Sequence, residues 1–159
     1  MISLAAKGRV LYLIAAFLLI VAIKAKAGDP LALDWDSQPL DATRTNLESE
    51  LHDATAQQEI NQLTGSLAEV ADAKLMIVYL HLYSLLPDKD QSALLSEQKH
   101  WLKLRTNDVG EAAKADEGGS AGPMDANTEF VKFTNERCAE LEKRLALALK
   151  KSAPAKHLK

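Results

Sequence analysis

A chain of 159 residues with a formal charge of −3 is the size of one domain, and its acidic balance argues against nucleic acid or anionic lipid as a partner. Cys138 is the only cysteine, which excludes an internal disulfide.

Lys7 and Arg9 precede the apolar run "VLYLIAAFLLIVAI" at 10–23, and small residues follow at Ala25 and Ala27. A basic start, a 14-residue apolar segment and a small-residue site make a secretory signal over 1–27, cut after Ala27. A membrane span needs about 20 apolar residues, so the run is short for one. Lys24 and Lys26 close to the cut leave an alternative, an inner-membrane anchor formed by residues 10–23. Cleavage removes four cations and no anion, so the formal charge moves from −3 to −7. A periplasmic or secreted protein without stable membrane insertion is expected, and its acidity suits a basic protein partner.

Residues 28–42, "GDPLALDWDSQPLDA", have two prolines and no period and read as an irregular lead-in. From about Thr43 apolar residues recur at helical spacing: Leu47, Leu51 and Ala54, then Leu63, Leu67, Val70, Leu75, Val78, Leu82 and Leu85. Gly65 in "TGS" is placed to kink or break that stretch, and Pro87 ends it. A further helix is predicted from about Gln91 to Ala115, with Leu94, Leu95, Trp101, Leu102 and Val109 on its apolar face. "DEGGSAGP" at 116–123 has the composition of a turn. The last helix is predicted over about Asn127–Lys150, with Phe130, Phe133, Leu141, Leu145 and Leu149 inward, before a disordered basic tail at 151–159. No segment alternates with period two. The expected fold is all-α, a small antiparallel bundle of three to four helices over 43–150, with Cys138 buried in it.

Chemistry is hard to find in this chain. The histidines at 52, 81, 100 and 157 include no i, i+4 pair, and no zinc, metalloprotease or calcium-loop spacing occurs. The spacing G-x-S-x-G occurs in "GGSAG" at 118–122, but no strand is expected before it, as a nucleophile elbow requires, and no nucleotide loop is present. Ser120 in "GGSAG" reads as part of a turn, and the carboxylates around "DEGG" and Asp125 read as a solvated surface. No metal, no cofactor and no enzymatic activity are expected.

Four segments stand in a telling order: "ADAKLMIVY" (71–79), "LLSEQKHWLKLR" (94–105), "EGGSAGP" (117–123) and "FTNER" (133–137). Together they resemble the LprI-type lysozyme inhibitors, small exported helical domains of bacteria. The resemblance implies a signature of Asp72, Tyr79, Gln98, Trp101, Arg105, Asn127, Thr134 and Arg137. In helical spacing Gln98, Trp101 and Arg105 share one stripe, which is either a docking face or part of a network joining the helices. A guanidinium away from water needs acceptors, so the network is the expected role, with Trp101 in the core. The family commonly carries paired cysteines where this chain has Val109 and Glu129, and an asparagine where it has Met76.

The resemblance further implies a partner, a basic lysozyme, whose two catalytic carboxylates flank the bond they cut. Gly118 and Gly119 are slim enough to enter such a cleft, and Ser120 can donate a hydrogen bond there. The alternative is a non-inhibitory periplasmic adaptor, or an immunity protein for another envelope-targeted partner.

Overall fold

The computed structural model describes residues 37–115 and 119–152. They form four helices, α1 (Gln38–Asp53), α2 (Gln57–Leu85), α3 (Asp88–Ala115) and α4 (Gly122–Ser152), with no strand among the described residues. The fold is an all-α bundle in which each helix reverses the direction of the one before. The segment read as a leader, residues 28–36 of the lead-in, Asp116–Gly118 and residues 153–159 lie outside the described residues.

Three helices begin earlier than expected, each for a local reason. α1 starts at Gln38, inside the supposed lead-in, because Pro39 has its φ already set for a first helical turn and lacks only an N–H that would be unpaired there. Asp41 in the same turn favours the positive end of the helix dipole. α4 starts at Gly122 and Pro123 in the same manner, and the Asp125 amide donates to Ala121 O at 3.0 Å. α3 starts at Asp88, directly after Pro87, whose carbonyl accepts from the amides of Asp90 and Gln91. The Gln91 side chain reaches back and donates to Tyr83 O at 3.1 Å, which also accepts the Leu86 amide, and to Leu86 O at 2.9 Å, helping to satisfy the carbonyls at the end of α2. α4 also continues through Lys151 and Ser152, the first residues of the expected tail.

Gly65 does not break the long helical stretch. It lies within α2, where the neighbouring Thr64 hydroxyl bonds back to Ile60 O at 2.9 Å. The break comes instead at Ala54–Ala56, where the backbone turns extended. There α1 doubles back on α2, and Lys74 is held between Asp41 at 3.0 Å and Glu142 at 3.4 Å. Burial works against the Lys74 charge, but the hydrogen bond with Asp41 and the nearby Glu142 prevail and raise its pKa.

The core sits mainly on α2, whose buried Leu67, Ala71, Leu75, Val78 and Leu82 recur at steps of three and four. α4 lies along this face and packs more closely on α2 than on α3, and α1 packs on the flank of α2 without burying any residue of its own. The closest partners are therefore α2 and α4, which are not consecutive. Leu94 and Leu141 close the core, Cys138 is buried beside it, and Leu149 is exposed, contrary to its predicted inward place.

Leu141 is wholly buried on the helix that the other two long ones share. Leu141→Ala is expected to cost about 2–5 kcal/mol, seen as a lower urea midpoint with an unchanged slope; a shift within error would remove α4 from the centre of the core.

Candidate functional site

Among the described residues of α3, Leu94 is the only buried aliphatic side chain. The rest of its inward stripe is Gln98, Trp101 and Arg105, so the space between α2, α3 and α4 is bridged by polar side chains. Arg105 stands at the middle of this seam. Its Nη1 donates to Asp72 Oδ1 of α2 at 2.6 Å and to Thr134 Oγ1 of α4 at 2.9 Å. The guanidinium carbon lies over two rings, 4.0 Å from the Phe130 centroid and 4.7 Å from that of Trp101. Two π clouds thus border the cation while its Nη1 is paired, and in such a setting a cation can be kept from water. Trp101 is half-buried, not a core residue: one face of its indole serves as a cover for Arg105.

A second level of the seam lies toward the α2–α3 turn. Arg137 Nε donates to Gln98 Oε1 at 3.1 Å, and Nη1 donates to Glu140 at 2.7 Å. Glu97 accepts from Arg144 at 2.6 Å and stands 3.7 Å from Arg137 Nη2. Gln98 Nε2 is buried and finds no acceptor among the described residues. Tyr79 is fully buried and its ring stacks on Tyr83 at 6.0 Å between centroids. Burial, and next Tyr83, push its phenol up to about 12, while Arg137 pulls the other way.

The third level is at the opposite end, where α3 gives way to α4. Asn127 Nδ2 donates to Thr64 Oγ1 at 3.2 Å and to Asn61 O at 3.4 Å. Asn61 Nδ2 in turn donates to Ser120 O at 3.0 Å. Gly119 and Ser120 are exposed beyond this level, and Gly118 lies outside the described residues. The structure therefore joins Asp72, Trp101, Arg105 and Thr134 in one cluster and Gln98 with Arg137 in another. It sets Asn127 apart with the loop.

Sequence reasoning missed Asn61, Thr64 and the pairing of Arg105 with Phe130. The available signal was an amide or hydroxyl at α2 positions in phase with the leucine stripe, three and six residues before Leu67.

Enzymatic alternatives gain nothing from the geometry. His52 and His100 are exposed and His81 is half-buried, and no group of three metal-binding side chains occurs among the described residues. An open groove of about 220 Å³ on the flank is lined by Asp41, Lys74, Cys138 and Glu142 among others. Burial, and next Glu142, push the Cys138 thiol up to about 11, which keeps it protonated and poorly nucleophilic.

A family model described as lysozyme inhibitor LprI matches residues 49–141, a span that contains the three levels of the seam apart from Arg144. No curated protein and no solved structure matches the chain.

Removing one partner of a buried pair leaves the other charge stranded, so Arg105→Ala should lower stability by about 3–5 kcal/mol with the helical content retained at low temperature. Unchanged melting combined with lost partner binding would instead make Arg105 a contact residue. A pH dependence follows from the two raised groups, both uncharged when protonated. The unfolded chain releases their protons at ordinary values of 9.0 and 10.0, the folded chain only at about 11 and about 12. Their contribution is therefore complete below pH 9 and is lost as pH rises toward 12. Urea midpoints from pH 8 to 11.5 should fall, and fall less steeply in Tyr79→Phe.

Proposed function

The chain belongs to the lysozyme inhibitor LprI family, and from that premise we propose that its exported domain binds a lysozyme-type muramidase and blocks the cleft with the loop at 117–123. The muramidase partner rests on the family match. The choice of loop rests on one observation: Gly119 and Ser120 are exposed at the end of the bundle while the Ser120 carbonyl is tied to α2. A glycine lets the backbone approach a narrow cleft, and a serine hydroxyl offers a donor to a catalytic carboxylate. Gly118 extends the slim segment by one residue in sequence.

The eight signature residues have a different part in this reading. Asp72, Tyr79, Gln98, Trp101, Arg105, Asn127, Thr134 and Arg137 hold the helices in register and do not touch the partner. Their burial and mutual pairing support it, since six of the eight engage another signature residue. Export is part of the same proposal. Lys7, Arg9, the apolar run and Ala27 are read as a cleaved signal, after which the −7 charge steers the domain toward a basic enzyme.

Among the described residues no helix is long and apolar enough to cross a membrane. Expressed in a Gram-negative host, the protein should be recovered from the periplasm with Gly28 at its N-terminus. Met1 retained in washed membranes would establish the anchor alternative.

The purified domain in molar excess should slow the clearing of a cell-wall suspension by a basic muramidase. Salt should reduce the association rate far more than it raises the dissociation rate. The pair Gly119→Trp and Ser120→Tyr should weaken inhibition at least about tenfold, or about 1.4 kcal/mol, with melting unchanged because an exposed turn packs against little. Clearing that proceeds at full speed with every muramidase tried would leave an adaptor or immunity role in place of inhibition.

A further inference from the structure

We propose that Asn61 is the positioning residue of the recognition loop: its side-chain amide fixes the Ser120 carbonyl, so that the Gly119–Ser120 backbone is held in one conformation before any partner arrives. The inference rests on the inhibitor reading only for its purpose, since the tether itself is a matter of geometry.

Both ends of the Asn61 amide are in use. Nδ2 donates to Ser120 O at 3.0 Å, and Oδ1 accepts from Gln57 Nε2 at 3.0 Å. A rotation of the amide by half a turn would set a donor against a donor and an acceptor against an acceptor, so the orientation is fixed by chemistry. One helical turn further along α2, Thr64 Oγ1 and Asn61 O receive the Asn127 amide. Gly65 borders the same spot, where an added Cβ would come to 3.6 Å from Asn127 Nδ2. The start of α4 is therefore pinned to α2 just after the loop. Between these two attachments the chain runs only from Ser120 to Asn127, and Ala121 O is already engaged by the Asp125 amide at 3.0 Å.

The consequence lies in the cost of binding. A glycine-rich turn left free would lose backbone entropy on entering a cleft. A tether that orders the turn in the free protein removes part of that cost in advance and appears as tighter binding. The tether takes only the carbonyl of Ser120, so the hydroxyl remains available to a partner. Asn61 lies 59 residues away in sequence and has no place in the loop itself, which is why its effect is one of positioning.

The test uses the full mature domain and two readouts. Amide hydrogen exchange at Gly119–Gly122 should quicken at least about fivefold in Asn61→Ala and in Asn61→Asp, which turns an acceptor toward the Ser120 carbonyl. Melting should shift little, because Asn61 is only half-buried. Inhibition of a muramidase that the unaltered domain does inhibit should weaken about five- to tenfold, chiefly through slower association. Gln57→Ala, which frees the amide to turn, should give a smaller change of the same sign. Unchanged exchange in both Asn61 variants would overturn the tether whatever the inhibition assay shows. Faster exchange with undiminished inhibition would overturn its role in recognition. If the unaltered domain inhibits no muramidase, the functional reading fails by itself, and the exchange rates still decide for or against the tether.

Discussion

The organisation of this bundle depends on keeping one guanidinium away from water. Arg105 is 6 % exposed, and a cation at that depth is tolerable only if its charge is matched and it is covered from water. Asp72 supplies the charge, Thr134 a second acceptor, and Phe130 and Trp101 the covers. Those groups come from α2, α3 and α4, so none of the three can slide along its axis without stranding the charge. Register, which a purely aliphatic seam would specify only through shape, is here specified by hydrogen-bond geometry.

The same constraint accounts for the spacing of the helices. α2 meets α4 through small and aliphatic side chains such as Ala68, Ala71 and Leu75, and close packing results. α3 presents Gln98 and Arg105 instead, and long side chains keep its axis farther from α2 while still joining the two. Such a seam gains little net stability, because desolvation offsets most of the Coulomb attraction. Gln98 Nε2, buried without an acceptor among the described residues, adds to that cost. What the seam supplies is a unique alignment. The resemblance places paired cysteines at the positions of Val109 and Glu129, on the stretches of α3 and α4 next to Arg105 and Thr134. With no disulfide available there, alignment of that end falls to the Arg105 cluster and to the Asn127 contacts with α2.

Much of this was legible in the sequence, and the limits are instructive. The leucine stripe of α2 and the turn at Pro87 could be read because burial imposes a period and proline removes a donor. The grouping of Asp72, Arg105 and Thr134 could be anticipated from the difficulty of placing an arginine in a helical stripe without acceptors. The helices begin at Gln38, Asp88 and Gly122, earlier than the residue pattern suggests, because proline, which breaks a helix from within, is well suited to its first turn at Pro39 and Pro123 and to the position just before it at Pro87. The break at Ala54–Ala56 carries no glycine or proline, and it is set by the docking of α1 on α2, a tertiary effect. Size alone places Trp101 in the core, whereas its ring lies at the edge, by the Arg105 cation. The Asn61 tether joins residues 59 apart and follows only once α2 and α4 are known to run side by side.

Thr134 and Asn127 lie on the same helix seven residues apart, about two turns, and both face α2 or its partners. A change at Arg105 that releases Thr134 therefore loosens the helix whose first turns carry the loop. If the loop is the recognition element proposed above, stability and recognition are coupled through α4 even though their residues do not touch. A loss of inhibition on altering Arg105 does not in itself place Arg105 in the interface, because displacement of Asn127 would unsettle Ser120 and give the same result. The two cases differ in how the loss depends on stability. A contact residue loses binding at any temperature, whereas a clamp residue loses it in step with the loosening of α4, and lowering the temperature or adding a stabilising osmolyte restores it.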